Sequence, residues 1–328
     1  MRAFEISEAD GKLSCEVRDV ELVQLTPSDV LVKVDFSGVN YKDALVASAP
    51  SRVRRIDKVI GGVDAAGTIV VSSIPDLRVG TRVAVHGGDL GVGRDGGFAE
   101  FVSAPAHFLS ALPSTITTRD AMIIGTAGFT AMASILALEA HGLDADAQVL
   151  VTGATGGVGS VAVTLLAARG YQPVASTGSP RESTWLHERG AVRVIGRDEI
   201  SDKPERVLGT ARWTAAIDCV GGDTLNQILR SLRYGGSVAA SGLVASAELT
   251  TTVYPFITRA VNLLGIDAVE ATASTRERVW STLGEMAENV DLAPLVDREI
   301  KMEQLRDAFE SIRHGSTRGR ILVDPSPG

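Results

Sequence analysis

The apolar positions of this chain fall into two textures that meet near residue 120. Up to there, short apolar runs alternate with turn signals. Met1–Ile6, Val30–Phe36, Gly67–Val71, Arg82–Val85 and Ala99–Ser103 read as strands, punctuated by Gly-Gly pairs at 61–62, 87–88 and 96–97. Short strands at even spacing predict a curled β barrel or sandwich rather than βα units. Beyond Arg119 the spacing changes, and Ala121–Ala140 is a long alanine- and methionine-rich helix pattern interrupted by Gly125 and Gly128. Strand-like and helix-like segments then alternate at 148–152, 159–169, 172–177, 181–189, 192–195, 214–220, 224–233 and 236–241. That alternation predicts a doubly wound parallel sheet, so the fold class is α/β with a β-rich part in front. A last apolar strand, Val261–Ile266, closes the sheet. Amphipathic helices near 275–289 and 302–313 and a terminal strand, Arg320–Val323, follow.

One stretch of this pattern carries chemistry. Val149-Leu150-Val151 has the texture of a strand buried on both faces. It breaks into Gly153-Ala154-Thr155-Gly156-Gly157-Val158-Gly159 and resumes at helical spacing through Val161, Val163, Leu165 and Leu166. Strand, glycine turn and helix form the frame of a phosphate cradle, in which unpaired N–H groups at the helix start face the anion. Ala154 stands where the usual motif has its first glycine. A ligand-free βα turn is the competing reading, and three glycines in the right frame argue against it. One strand further on, an NAD site usually ends in an acid for the ribose hydroxyls. Here the chain reads Ser176, Thr177, Gly178, Ser179, Pro180, Arg181, with no acid until Glu182. Hydroxyls and an arginine suit a 2′-phosphate, so the expected cofactor is NADPH.

Composition narrows the picture further. The chain has 328 residues, 45% of them hydrophobic, enough for two domains with real cores. Its net charge of −8 offers no general basic surface, so nucleic acid and anionic membrane are not expected partners. No apolar run of transmembrane length and no secretory leader stand out, which predicts a soluble, cytoplasmic protein. Cys15 and Cys219 lie far apart and support neither a disulfide framework nor a cysteine metal site.

Asn40-Tyr41-Lys42-Asp43-Ala44-Leu45, the runs Ala121–Met132, Val151–Ser160 and Pro255–Arg259, and Gly319-Arg320 are together similar to one family. They resemble the NADPH-dependent acryloyl-CoA reductases, a quinone-oxidoreductase-like branch of the medium-chain dehydrogenase/reductase superfamily. The likeness covers nearly the whole chain, and 121–132 is its most distinctive part. It implies a GroES-like β-barrel catalytic domain from residues 1–123 and 268–328 and a Rossmann NADPH-binding domain from 124–267. It also implies a zinc-free homodimer that reduces the C=C bond of acryloyl-CoA to propanoyl-CoA. Zinc-dependent relatives have a cysteine where this chain has Asn40 and a His-Glu pair where it has Val63-Asp64, so no metal is expected. His86, His107, His141, His187 and His314 are scattered and read as surface or packing residues.

Hydride addition to the β-carbon of a conjugated thioester builds negative charge on the thioester oxygen, and the α-carbon then needs a proton. The resemblance puts Tyr41 and Asn40 at this chemistry, with backbone N–H groups around 125–128 as further donors, and sets Tyr41 beside the cofactor. Asp43 reads equally as a helix cap, and Asp64 as a residue ordering the barrel interior. The cofactor set carried over is Val158, Gly159, Ser160 and Val161 at the pyrophosphate turn, with Ser179 and Arg181 at the 2′-phosphate. Arg181 stands two positions later than in the family pattern. Arg197 joins the adenosine phosphate, with a salt bridge to Asp198 or Glu199 as its alternative. Leu243 and Ile257 pass the nicotinamide, and Arg320 completes the set. Arg52, Arg54 and Arg55, with Lys58, form a basic run suited to the phosphates of an acyl-CoA substrate, or simply a solvated loop. The competing functions are an NADPH:quinone oxidoreductase and a non-catalytic NADPH-binding protein.

Overall fold

The computed structural model describes residues 1–9, 11–22, 29–200 and 207–327. The chain divides into two compact units, Met1–Ala127 with Ala268–Gly328, and Gly128–Asp267. The first crossing falls between 127 and 128, inside a helix, where the sequence places it at 123/124.

The discontinuous unit opens with β1 (Arg2–Ala9) and β2 (Lys12–Asp19), an antiparallel pair. Next come β3 (Asp29–Val39), α1 (Tyr41–Val46), β4 (Lys58–Ile60) and β5 (Asp64–Val71). β6 (Arg82–His86), β7 (Phe101–Pro105) and β8 (Leu109–Ala111) follow. β4 adds to β1, giving a three-stranded sheet, and β3 pairs antiparallel with both β5 and β7. Period-two alternation buries Val30, Val32 and Val34 of β3 against Ile69, Val83, Val85 and Val102. β2 escapes sequence reading because Cys15 is its one fully buried residue, and the short alternation of Leu13, Cys15 and Val17 is set among charged residues.

α2 (Thr118–Ala140) is broken at Gly125, whose φ of 50° and ψ of −162° are not helical. By length and composition it is able to cross a membrane, which corrects the expectation that no apolar run reaches that length. Its most apolar stretch is 83% buried inside the protein, as in the core helix of a globular fold.

The contiguous unit alternates β9 (Gln148–Val151), α3 (Gly157–Ala168), β10 (Gln172–Thr177), α4 (Ser183–Glu188) and β11 (Arg193–Gly196). It continues with β12 (Trp213–Asp218), α5 (Gly222–Ser231), β13 (Leu232–Ala240), α6 (Tyr254–Arg259) and β14 (Asn262–Gly265). The strands are parallel in the order β11-β10-β9-β12-β13-β14. That is the 3-2-1-4-5-6 order of a doubly wound sheet, with its switch point between β9 and β12.

The chain then returns to the first unit through α7 (Ala273–Met286), β15 (Val296–Lys301), α8 (Leu305–Arg313) and β16 (Arg320–Asp324). β16 lies between β15 and β3 and completes a seven-stranded sheet. α8 turns Leu305, Ala308 and Phe309 onto a core that also holds Phe4, Phe98 and Ile321.

Candidate active site

In the contiguous unit, β9 leads into a turn whose Ala154 N–H donates to Ser176 O at 3.1 Å, tying the turn to β10. α3 begins at Gly157, so the N–H groups of Gly157, Val158 and Gly159 have no carbonyl one turn back to reach. A methyl on Gly159 would collide with the Gly153 carbonyl and lie 2.8 Å from Ala154 Cα, so only glycine lets the helix start pack on the turn. Ser160 N–H already reaches Gly156 O at 2.9 Å, and the Ser160 and Val161 side chains are fully buried. These two side chains pack the helix, and Gly157, Val158 and Gly159 present the N–H groups at its start.

β10 ends in Ser176 and Thr177, both buried, with no carboxylate. Thr177 Oγ1 accepts from Ser179 N–H at 3.0 Å. Arg197, in the turn after β11, lies against Gly178, where a methyl would come within 2.6 Å of its Nη2. Arg181 is 76% exposed and pairs with Glu182 at 3.3 Å. Of the two arginines picked from sequence, Arg197 is the one seated at the strand end. Sequence reasoning missed Asp218, which closes β12. Its carboxylate accepts from Thr152 Oγ1 at 2.7 Å and Gly221 N–H at 2.8 Å, bracing both loops that flank the switch point. Burial pushes its carboxyl above the usual range. An acid ending the apolar run Ala215-Ala216-Ile217 was the available signal.

In the discontinuous unit, Asn40 and Tyr41 sit where β3 gives way to α1. Asn40 N–H donates to Asp43 Oδ2 at 2.8 Å, and Asn40 Nδ2 donates to Asp64 Oδ2 at 2.7 Å and Gly38 O at 3.2 Å. Arg320 Nη1 donates to Asn40 Oδ1 at 3.1 Å. The amide of Asn40 is therefore committed, and it does not fit the part of a direct oxyanion donor. Arg320 is committed as well: it is 2% exposed, donates to Ile123 O at 3.0 Å and Val39 O at 3.3 Å, and stands 3.6 Å from Asp64. Asp64 also accepts from Thr126 N–H at 2.9 Å and from the Thr126 hydroxyl. Tyr41 keeps a partly exposed side chain.

Asp43 is both cap and anchor, because it also accepts from Val63 N–H at 2.9 Å. Burial pushes its carboxyl up to about 7, helped by the Asp64 charge and opposed by those two N–H groups and Arg320. A folded-state value above the unfolded one means a stabilising contribution that is complete below pH about 4 and lost as pH rises through about 7. The loss is on the order of 4 kcal/mol. Asp43→Asn cannot ionise, so it should gain on the wild type across that window after a constant offset. Denaturant midpoints at pH 5 and pH 8 check this; a pH-independent difference would refute it.

The basic run divides. Arg52 and Arg55 are exposed. The Arg54 side chain is 5% exposed, donates to Val46 O at 2.8 Å and pairs with Glu8, so it is withdrawn from any phosphate. Lys58 pairs with Glu5. A cavity of about 610 Å³ in this unit is lined by Phe108, Leu112, Trp280, Arg276, Glu270 and neighbours, and none of the candidate site residues lines it. Beneath it His86 is fully buried, contacted by Arg276 Nη1 at 3.3 Å and by Trp280 Nε1 at 3.4 Å.

A sheet ordered 3-2-1-4-5-6, with a glycine turn after its first strand, defines a dinucleotide-binding domain, here joined to a β-rich domain. Residues 26–114 match the family described as alcohol dehydrogenase GroES-like domain, and residues 157–289 the one described as zinc-binding dehydrogenase. The acrylyl-CoA reductase AcuI of Ruegeria pomeroyi is 39% identical over 318 residues, covering 97% of this chain and 96% of the relative. The yhdH oxidoreductase of Salmonella enterica, solved in complex with NADP, superposes with a TM-score of 0.93 at 39% identity, covering 99% of each chain. The quinone oxidoreductase-like YhfP of Bacillus subtilis, solved with NAD bound, gives 0.94 at 41%, covering 98% of each. The chain belongs to the medium-chain dehydrogenase/reductase superfamily of oxidoreductases, in its AcuI-like and quinone-oxidoreductase-like branch.

One family description names zinc, and the residues present do not fit it. Asn40 has its amide engaged, and Val63 is a buried apolar side chain. Among the described residues no group of three His, Cys, Asp or Glu is arranged to hold a metal ion.

Proposed function

We propose that this chain is an NADPH-dependent reductase of the C=C bond of a short 2-enoyl-CoA, converting acryloyl-CoA to propanoyl-CoA. The observation that carries the reading is the likeness to AcuI across 97% of the chain. Bound NADPH supplies a hydride for the β-carbon. The N–H groups of Gly157, Val158 and Gly159 hold its pyrophosphate, and Ser179 and Arg197 hold its 2′-phosphate, at a strand end that presents no repelling carboxylate. Leu243 and Ile257, 58% and 73% exposed, offer apolar faces to the nicotinamide. The Tyr41 hydroxyl serves the thioester oxygen as it gains charge, and Asn40 orients Tyr41 rather than touching substrate. Arg52 and Arg55 meet the CoA phosphates. The edge strand β14, with Leu263 exposed, pairs with a second copy in a homodimer.

The likeness to YhfP at 41% favours a second reading, a quinone reductase. Oxidation of NADPH and of NADH, followed with acryloyl-CoA, crotonyl-CoA and a quinone side by side, separates the two. Fastest turnover is expected with NADPH and acryloyl-CoA. Turnover with the quinone alone would overturn the substrate, and equal use of NADH would overturn the 2′-phosphate site.

A further inference from the structure

α1 is six residues long, too short to hold its own geometry, and Tyr41 is its first residue. An ordinary helix start needs one side-chain acceptor. This one recruits three buried ionisable groups, each on a different polar handle of Asn40: Asp43 on the backbone N–H, Asp64 on Nδ2 and Arg320 on Oδ1. Burying charges is costly, and a cap alone does not require it. The same pair also builds the break in α2. Arg320 takes the carbonyls of Met122 and Ile123, which an unbroken helix would use internally, and Asp64 takes the Thr126 N–H. Gly125 makes room, since a methyl there would lie 2.5 Å from Asp64 Oδ2 and 2.6 Å from Arg320 Nη2.

We infer that Asp43, Asp64 and Arg320 are positioning residues, which fix Tyr41 for the reaction by gripping Asn40 from three sides. The inference rests on Tyr41 serving the reduction proposed above. None of the three touches substrate: each acts through Asn40. The charge of Asp64 and Arg320 is what makes the grip stiff, because charge-assisted hydrogen bonds are shorter and stronger than neutral ones.

Fluorotyrosine labelling tests this without any substrate. Of the four tyrosines, Tyr41 alone lies in the discontinuous unit, while Tyr171, Tyr234 and Tyr254 lie in the other. In Asp64→Asn the Tyr41 fluorine signal should shift or split and the other three should stay. With the acceptor that the wild type reduces, kcat should fall about 10- to 100-fold, while KM for NADPH stays unchanged. An unmoved Tyr41 signal, or an unchanged kcat in the folded variant, would overturn the inference. If Asp64→Asn does not fold because it strands Arg320, the double variant Asp64→Asn with Arg320→Met removes both charges and is read in the same way. If the wild type reduces no enoyl-CoA, the functional reading fails, and the fluorine signal still decides the positioning.

Discussion

Gly159→Ala should weaken NADPH binding about 100-fold or more, because the donors of the α3 start lose their aim. The added methyl meets the backbone of Gly153 and Ala154 and not the tip of a flexible side chain, so nothing nearby can rotate away. Either the turn or the first turn of α3 must move. The turn is held by the Ala154 N–H bond to Ser176 O, and α3 by Val161, Leu165 and Leu166 in the core. Overpacking of this kind costs about 1–3 kcal/mol of stability, so the variant should still fold. Gly156→Ala is the control. Gly156 has an ordinary φ of −80°, and a methyl there lies 3.3 Å from Gly153 O, a contact that a small shift relieves. Nucleotide titration of both variants, alongside thermal melts, checks the prediction. Equal losses at the two positions would show that the close approach at Gly159 is not what shapes the cradle.

His86 should make the protein acid-sensitive by an amount comparable to a core truncation. Burial, reinforced by the Arg276 guanidinium, pushes its imidazole down to about 3, against a backbone hydrogen bond at Ala268 that favours the charged form. The neutral ring accepts at Nε2 from Trp280 Nε1. A folded-state value below the unfolded one means stability that is complete above pH about 6.5 and lost as pH falls from there towards 3. The total is on the order of 5 kcal/mol. Asp43 runs in the opposite direction over much of this window, so the wild-type curve hides both groups. Differences between the wild type and single variants expose them. His86→Gln, which keeps an acceptor for Trp280 and cannot gain a proton, should carry a constant offset and lose this acid sensitivity. Chemical denaturation between pH 7 and pH 4 measures the gap to the wild type. A gap that does not narrow as pH falls would mean that His86 is already solvated or already charged.

The fold class was legible wherever burial imposed a period. Val149–Val151 and, apart from Thr164, Val161–Leu166 are buried and spell out a strand and a helix. β2 and β15 were not legible, because Cys15 and Ile300 are their only fully buried residues and charged residues make up half of β2 and most of β15. At the site, the glycine turn was readable because its chemistry is local. The cluster of Asp64, Arg320 and Asn40 was not, since it joins side chains from opposite ends of the chain and no spacing encodes such a meeting. Arg54 shows the same limit at short range. It reads like Arg52 and Arg55 in sequence, yet its neighbours face solvent while it reaches inward to Val46 and Glu8. His86 looked like one more scattered histidine, and only its burial sets it apart.

The place of β16 has a consequence for synthesis. The strand fills the gap between β15 and β3, and it carries Arg320, yet it is synthesised after every other strand of that sheet. While the chain grows, the β3 backbone that will receive β16 stays open, and Asp64 waits without its cation. The contiguous unit has no such delay, since its six strands lie between Gln148 and Gly265 and are complete once that stretch has emerged. Domains tend to fold as units in the order in which they are made, and long-range strand pairing is slow. The nascent protein is therefore built to finish its nucleotide cradle before β16 closes the sheet that it shares with β3.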